Sequence, residues 1–349
     1  MRTENSGTRP VVWGVLGASR FALKAAIPAM QQAPLVELRA LASRSLDKAQ
    51  RAAAQVNAPR AYGSYEELLA DPEIEAIYNP LPNHLHVPWS IAAARAGKHV
   101  LCEKPIALHA AEAEQLAQAQ LETGKLIAEG FMVRYHPQWL AVVELIQSGR
   151  IGQVRAVQTA FSYNNTDLEN IRNRRDAGGG ALYDIGCYAI NTARLIFGAE
   201  PRRALGLCLR DPQSDCDSLT SAILDFGSGQ ATFVVGTQHV PYQRVHVFGT
   251  RGHLEVQIPF NAPHDRPCKV SIDEGFVGAP DGSVLQSSDD RAELVPVTAA
   301  NQYTRQWQAF SAAIRSGDPI QNDMQSAVAN MRVIDAIFRS VSSERWEKP

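Results

Sequence analysis

The chain has 349 residues, enough for about two domains, and 45% of them are hydrophobic, so each domain can bury its own core. The 34 Lys and Arg residues nearly balance the 36 Asp and Glu residues, which argues against a protein that binds nucleic acid or a membrane surface. No apolar run of about 18 residues occurs. Residues 1–9, a predicted disordered tail, lack the apolar core of a signal peptide, so we expect a cytoplasmic protein.

The first 132 residues alternate strands with helices. Strands are predicted at residues 10–16, 36–42, 74–79, 99–102 and 126–131, and helices at 21–32, 46–55, 65–69, 87–96 and 110–123. Ser64 is the predicted N-cap of the third helix. This rhythm indicates right-handed βαβ units on a parallel sheet, so we predict an α/β domain over residues 1–132.

After residue 132 the rhythm changes to longer strands. Helices are predicted at residues 137–148, 181–197, 303–316 and 323–340, a strand at 154–163, several strands between 203 and 258 with glycine turns at 227–229 and 249–252, and a loop at 275–290. Long strands without helices between them indicate an antiparallel sheet. We predict an α+β domain over 133–349 with a large, mostly antiparallel sheet, and its last helix is a candidate to pack back on the first domain.

The turn after the first strand has the residue spacing of a dinucleotide site. Gly17, Ser19 and Ala22 occupy the small-residue positions of G-x-G-x-x-G/A, where they permit a tight turn, close approach to a pyrophosphate and close helix packing. Arg20 and Phe21 open the helix whose N-terminus would face that pyrophosphate. A plain strand–turn–helix is the alternative, but the place of the turn in a βαβ series favours a Rossmann domain.

The end of the second strand bears on the choice of cofactor. Enzymes that use NAD carry an acidic residue there for the ribose 2′-hydroxyl. This chain has Ser43 and Arg44 instead, with Lys48 one helical turn further on. Because Arg44 can pair with a 2′-phosphate, we predict NADP, with NAD as the alternative.

Two later stretches carry a family resemblance. One runs N-P-L-P-N-H-L-H over residues 79–86 and continues to E-K-P at 103–105, and the other is G-G-G-A-L-Y-D-I-G-C-Y at 178–188. Together they resemble the glucose–fructose oxidoreductase and inositol dehydrogenase family, written Gfo/Idh/MocA. The resemblance extends from about residue 11 to the closing helices.

For the first domain, the resemblance implies the following roles. Pro82, Asn83 and His86 match the P-N-x-x-H segment that lies along the dinucleotide. Glu103 matches a residue near the nicotinamide ribose, and Lys104 matches the catalytic lysine. The peptide that follows Lys104 matches one that is usually cis in the family.

For the second domain, the resemblance implies a D-x-x-x-Y motif at Asp184 and Tyr188. Inositol dehydrogenases carry His in place of this Tyr, which disfavours an inositol substrate. The segments around Arg134, His136 and Arg172 resemble the aldose dehydrogenase branch. They imply sugar contacts for Arg134 and His136, and a contact with the cofactor or the sugar for Arg172.

The chemistry explains why these residue types belong together. Oxidising a sugar C–OH needs a hydride acceptor and a base for the hydroxyl proton, and a free Tyr, with a pKa of about 10, is a poor base near neutrality. A nearby ammonium favours the phenolate. We therefore interpret Tyr188 as the general acid/base, Lys104 as its electrostatic partner and Asp184 as the orienting group. Four residues apart on a predicted helix, Asp184 and Tyr188 share one face.

The sequence thus predicts an NAD(P)-dependent oxidoreductase acting on an aldose such as D-xylose or D-glucose. The alternatives are an aldose–aldose or glucose–fructose oxidoreductase that does not release its cofactor, a dihydrodiol or anhydro-sugar reductase, and a non-catalytic NAD(P) sensor. No metal is expected, because the five Cys and nine His residues show no ligand spacing. We expect a homodimer or homotetramer formed through the sheet at about residues 203–258.

Overall fold

A computed structural model describes residues 9–274 and 292–349. The loop predicted at residues 275–290 and the predicted tail, apart from Arg9, lie outside the described residues. The described chain forms two compact units, one from residues up to 132 together with 301–328, and one from 133–300 together with 329–349. Residues 301–328 therefore group with the first unit, whereas the division predicted at residue 132 places them in the second.

The first unit contains a six-stranded sheet. Its strands are β1 (Val11–Leu16), β2 (Val36–Ala42), β3 (Arg60–Tyr62), β4 (Ala76–Asn79), β5 (His99–Cys102) and β6 (Ile127–Glu129). They run parallel in the order β3-β2-β1-β4-β5-β6, which is the doubly wound Rossmann order and confirms the predicted parallel sheet. Strand β3 was not predicted, because its three half-buried residues form neither an apolar run nor an alternation.

The helices of this unit follow the strands. They are α1 (Ile27–Met30), α2 (Leu46–Gln55), α3 (Tyr65–Ala70), α4 (His86–Arg95) and α5 (Ala110–Thr123). The predicted N-cap of α3 is confirmed, since Ser64 Oγ accepts a hydrogen bond of 3.1 Å from the Glu67 amide. The helix predicted at residues 21–32 is wrong in type over its first half, where Ala22–Ala26 form a π-helical turn before α1.

The second unit is built on an eight-stranded sheet. Its strands are β7 (Val154–Asn164), β8 (Arg203–Arg210), β9 (Asp217–Asp225), β10 (Gln230–Gly236), β11 (Gln238–Gly249), β12 (His253–Val256), β13 (Val270–Asp273) and β14 (Glu293–Val295). The order is β14-β13-β12-β11-β7-β10-β9-β8. Neighbouring strands are antiparallel except for the parallel pair β7 and β10, which confirms the mostly antiparallel sheet.

Two helices of the second unit flank its first strand in the chain. Helix α6 (Pro137–Gln147) comes before β7, and α7 (Cys187–Phe197) comes between β7 and β8. The helix predicted at residues 181–197 again begins with a π-helical turn, Leu182–Gly186, which leads directly into α7. Such turns are rare and are frequent at functional sites.

The chain closes with α8 (Gln302–Ser316) and α9 (Met324–Ser343). Helix α8 packs into the core of the first unit, where the Trp13 ring lies 5.1 Å from Trp307 and 5.6 Å from Phe310. The Trp13 indole N–H also donates to Ser311 Oγ at 3.2 Å, which satisfies a polar atom that would otherwise be costly to bury. Among the described residues, no helix is both long and apolar enough to cross a membrane.

Candidate active site

The turn after β1 has the backbone geometry that a dinucleotide site requires. Gly17 adopts φ +82°, which favours glycine, and its amide donates to the Ala42 carbonyl at 2.8 Å. A Cβ atom at this position would lie 2.8 Å from Leu81 Cδ2. Glycine is therefore needed both for the backbone conformation and for the space it leaves.

Ser19 caps the helix that follows this turn. Its Oγ accepts a 3.1 Å hydrogen bond from the Ala22 amide, and Ala22 itself is fully buried. The Ser19 hydroxyl proton stays available for a phosphate oxygen, because the oxygen acts as the acceptor in this contact. Arg20 is exposed, and the Phe21 ring packs edge-on against Tyr303 at 5.7 Å. This helix start fits a pyrophosphate.

The end of β2 presents basic rather than acidic groups. Ser43 is buried and its amide donates to the Tyr62 carbonyl at 3.1 Å, while Arg44 and Lys48 are exposed. Burial raises the pKa of Tyr65, and the Arg44 charge acts against that rise. The Tyr65 hydroxyl is 3.8 Å from the position of a Cβ on Gly17. A contact between Arg44 and a 2′-phosphate stays a prediction.

His86 is an internal bridge within the first unit. Its ring is fully buried, with Nδ1 2.7 Å from the Pro105 carbonyl and Nε2 2.7 Å from the Leu81 carbonyl. Burial lowers the pKa of His86 to about 4, and the Lys104 charge adds to that effect. The ring therefore ties the segment with the half-buried Pro82 and Asn83 to the E-K-P turn, rather than offering its nitrogens to a ligand.

Carboxylates hold the E-K-P turn on both sides. Glu103 Oε1 accepts a 2.7 Å hydrogen bond from the Tyr78 hydroxyl, and burial together with Glu103 raises the pKa of that phenol. Beyond the turn, the Ile106 amide donates to Glu129 Oε1 at 2.9 Å. The peptide between Lys104 and Pro105 is cis, as the resemblance implies. Lys104 therefore sits half-buried on a turn that hydrogen bonds hold on both sides.

In the second unit, two donors converge on Asp184. The Tyr163 hydroxyl donates to Asp184 Oδ2 at 2.6 Å, and Arg172 Nε donates to the same oxygen at 3.2 Å. Burial and the Asp184 charge raise the pKa of Tyr163, which keeps this phenol protonated as a donor. The Asp184 charge also raises the pKa of Arg172, and Tyr188 acts in the same direction.

Sequence analysis missed Tyr163. The alternation of Val157, Thr159 and Phe161 along β7 places Tyr163 on the same face as these buried side chains. That signal marks an inward-facing tyrosine at the end of a strand. Its contact with Asp184, 21 residues further along the chain, depends on tertiary structure.

Tyr188 lies one turn beyond Asp184. Its side chain is largely buried, and its ring is 5.4 Å from Phe260 and 6.1 Å from Phe161. Asp184 belongs to the π-helical turn and Tyr188 to α7, so the two residues do not share one regular helix. Tyr188 is held by aromatic packing, whereas Asp184 is held by hydrogen bonds.

Arg134 and His136 both form hydrogen bonds within the protein. Arg134 is buried and its Nε donates to Asn191 Oδ1 at 2.8 Å. His136 is also buried, and its Nδ1 accepts the Gln138 amide at 3.2 Å as the N-cap of α6. Their contact with a sugar stays a prediction. Among the described residues, no cluster of three or more His, Cys, Asp or Glu side chains could hold a metal ion.

Comparison with known proteins bears on this arrangement. Residues 11–131 match the model of an oxidoreductase family with an NAD-binding Rossmann fold, and residues 139–255 match the GFO/IDH/MocA C-terminal domain. An uncharacterized oxidoreductase of Rhizobium meliloti is 46% identical over 97% of this chain and 98% of its own length. The D-xylose 1-dehydrogenase (NADP(+)) 2 of Haloferax volcanii is 35% identical over 95% of this chain and 98% of its own.

A solved structure with a similar fold is the 3-ketoreductase of Actinomadura kijaniata in complex with NADP and TDP-benzene. Its TM-score is 0.86 at 30% identity, and the match covers 95% of this chain and 98% of the ketoreductase. The same enzyme has been solved with a lysine replaced by alanine and with a tyrosine replaced by phenylalanine.

Proposed function

Because the chain belongs to the Gfo/Idh/MocA family of NAD(P)-binding oxidoreductases, we propose that it transfers a hydride between NADP and an aldose such as D-xylose or D-glucose. The observation that carries the proposal is the cluster in which Tyr163 and Arg172 bind Asp184, one turn before Tyr188. A carboxylate and a phenol held together suit a hydroxylated substrate. The NADP-dependent D-xylose dehydrogenase of similar length supports the substrate class.

Residues of the first unit would hold the cofactor. The turn at Gly17 and the cap at Ser19 would hold the pyrophosphate, and Arg44 would pair with the 2′-phosphate. Glu103, which accepts the Tyr78 hydroxyl, would also accept a hydrogen bond from a ribose hydroxyl. When bound, NADP supplies the hydride acceptor.

Residues of the second unit would manage the proton. As the alcohol carbon gives up a hydride and becomes a carbonyl, the hydroxyl proton passes to the Tyr188 phenolate. An ammonium near the phenol would favour that phenolate and bind the substrate oxygen, and the family resemblance gives this role to Lys104 of the first unit. Asp184 accepts a hydrogen bond from a sugar hydroxyl, and its own donors, Tyr163 and Arg172, prevent it from turning away. In the reverse direction, Tyr188 returns the proton to the carbonyl oxygen.

The first experiment is a screen of purified protein by NADPH absorbance. NADP and NAD would each be offered with D-xylose, D-glucose, D-galactose, L-arabinose and myo-inositol, and nucleotide retained on the protein would be assayed in parallel. We expect reduction of NADP with an aldose and none with inositol. Retained NADP(H) without net turnover would favour the non-releasing oxidoreductase or the sensor. The absence of both turnover and nucleotide binding would contradict the proposal.

A second candidate is reduction of a nucleotide-linked keto sugar. It is favoured by the likeness of nearly the whole chain to the 3-ketoreductase solved with NADP and TDP-benzene. Calorimetry with TDP separates the two candidates, because only a sugar-nucleotide site binds the nucleotide portion tightly. Saturable TDP binding together with absent aldose turnover would select the ketoreductase.

Self-association through the large sheet belongs to the same proposal. Several apolar side chains on its strands are exposed, with Leu207 74% accessible on β8, Val240 79% on β11 and Leu294 65% on β14. Sedimentation velocity should give the mass of a dimer or a tetramer, and a monomer at micromolar concentration would refute the association.

A further inference from the structure

A buried carboxylate lies next to the start of the π-helical turn that contains Asp184 and leads into α7. Asp217, the first residue of β9, is only 3% exposed. Its Oδ2 accepts a 2.7 Å hydrogen bond from the Leu182 amide and a 2.6 Å hydrogen bond from the Thr220 hydroxyl. Leu182 is the first residue of the π-helical turn that contains Asp184. The start of the helix is therefore held by a residue 35 positions further along the chain.

The glycine backbone before this helix packs closely against the same carboxylate. Gly180 adopts φ +122°, and a Cβ atom there would overlap Asp217 Oδ1. On the other side, a Cβ atom on Gly179 would overlap the carbonyl of Arg172, which accepts the Gly180 amide at 2.9 Å. The glycine segment is thus fitted closely between Asp217 and the backbone of the residue that binds Asp184.

A carboxylate at this place suits the helix start electrostatically. The N-terminus of a helix presents unpaired amides and a partial positive charge, and a negative group stabilises both. Burial raises the pKa of Asp217 to about 6, against the effect of its Thr220 and Leu182 donors. The group is therefore ionised in an alkaline assay, where it accepts strong hydrogen bonds.

We propose that Asp217 is a positioning residue for the proposed hydride transfer, because it sets the place of the turn that presents Asp184 to Tyr163 and Arg172. Asp217 acts through the Leu182 amide and not by touching substrate. The inference rests on the proposed function, since it concerns the geometry of that same site. If Asp217 only stabilised the fold, its loss would lower stability without a selective effect on turnover.

The test compares variants at both ends of β9. Asp217→Ala removes the acceptor, Asp217→Asn keeps an oxygen that can accept the Leu182 amide, and Asp225→Ala removes a carboxylate at the far end of the same strand as a control. We expect kcat to fall about 10- to 100-fold in Asp217→Ala with an unchanged KM for NADP. Most of that loss should be recovered in Asp217→Asn, and Asp225→Ala should keep the wild-type kcat.

Hydrogen exchange measured by mass spectrometry gives a readout that needs no activity. A peptide covering residues 178–190 should exchange faster in Asp217→Ala than in the wild type, with no change in Asp225→Ala. If the wild type turns over no sugar, the proposed function has failed, and this exchange measurement alone decides whether Asp217 anchors the helix.

Three results would overturn the inference. The first is an Asp217→Ala protein with wild-type kcat and wild-type exchange. The second is a parallel fall of kcat, NADP affinity and melting temperature in Asp217→Ala, which would indicate a general structural role. The third is a loss in Asp217→Asn as large as that in Asp217→Ala, because the hydrogen bond to Leu182 would then not be the positioning contact.

Discussion

The helix of the proposed cofactor turn in the first unit and the helix of Asp184 in the second unit each contain a π-helical turn near their start, Ala22–Ala26 and Leu182–Gly186. The first is capped by Ser19, three residues before the amide that it binds. The second is capped by Asp217, which lies on another strand. One helix start is therefore anchored locally, and the other depends on the sheet beneath it.

A short sequence motif can therefore encode the first contact, whereas the second contact forms only in the folded protein. The Ser19 cap needs only neighbouring residues, so a short motif can encode it. The turn that contains Asp184 is placed only when β9 has paired correctly with its neighbours. We therefore expect changes near the second helix to alter turnover, and changes near the first to alter cofactor affinity.

The largest expected effect comes from removing the proposed acid/base or its partner. Tyr188→Phe and Lys104→Met should each lower kcat by about 100- to 10,000-fold, because proton transfer to a positioned group contributes that much. NADP affinity of Tyr188→Phe should stay at the wild-type value in a fluorescence titration. Tyr183→Phe, which removes a hydroxyl from the same turn as Asp184, is the matched control and should remain active. Near-normal turnover in both variants would show that the catalytic assignment is wrong.

A smaller effect is expected from the donor that was found only in the structure. Tyr163→Phe leaves Asp184 without its 2.6 Å hydrogen bond, so kcat should fall about tenfold while the KM for NADP is unchanged. Steady-state kinetics with the best aldose from the screen measures both constants. An equal rise of the KM for NADP would contradict the separation of cofactor and proton roles.

Cofactor choice should depend on the first unit alone. Arg44→Ala should raise the KM for NADP about tenfold and leave that for NAD nearly unchanged, because only NADP carries the 2′-phosphate. Arg51→Ala, an exposed arginine further along α2, controls for loss of charge. Equal effects of the two substitutions on the KM for NADP would contradict the assignment of Arg44 to the cofactor site.

Long-range contacts also occur in the first unit, away from its turn. Arg315 on α8 donates to both oxygens of Glu75 at 2.8 Å and lowers the pKa of this carboxyl from 4.5 to about 2. Because the folded pKa is below the ordinary value, the stabilisation is complete above pH 4.5 and is lost as pH falls toward 2. Glu75→Gln should cost about 1–3 kcal/mol of unfolding free energy near neutrality, and the difference from wild type in denaturant titrations should shrink across this range.

The smallest effect belongs to the local cap. Ser19→Ala removes the acceptor of the Ala22 amide and should cost about 1 kcal/mol of stability, with a modest rise of the KM for NADP. Thermal unfolding and NADP titration measure the two consequences. A fall of kcat as large as that in Asp217→Ala would contradict the expectation that the first helix start affects cofactor affinity and the second affects turnover.

Much of the fold could be predicted because its signals are local. The bounds of β2, α2, β5 and α5 coincide with the predicted ranges, since each is a buried run or an amphipathic repeat with clear ends. The π-helical turns could not be predicted, because helical periodicity does not distinguish a wide turn from an ordinary one. The parallel pairing of β7 with β10 likewise depends on a path of the chain that no short segment reveals.

The sequence by itself determined the family, the two kinds of sheet and the residue spacing of the turn at Gly17, because each can be recognised from short segments of the chain. Tertiary structure alone decided that Tyr163 contacts Asp184 and that Asp217 contacts the Leu182 amide. Ser162 on β7 pairs with Gly236 on β10, which pairs with Leu219 on β9, so Tyr163 and Asp217 come to the same end of one sheet. Hydrogen bonds act over about 3 Å, and only strand register brings groups so distant in sequence within that reach.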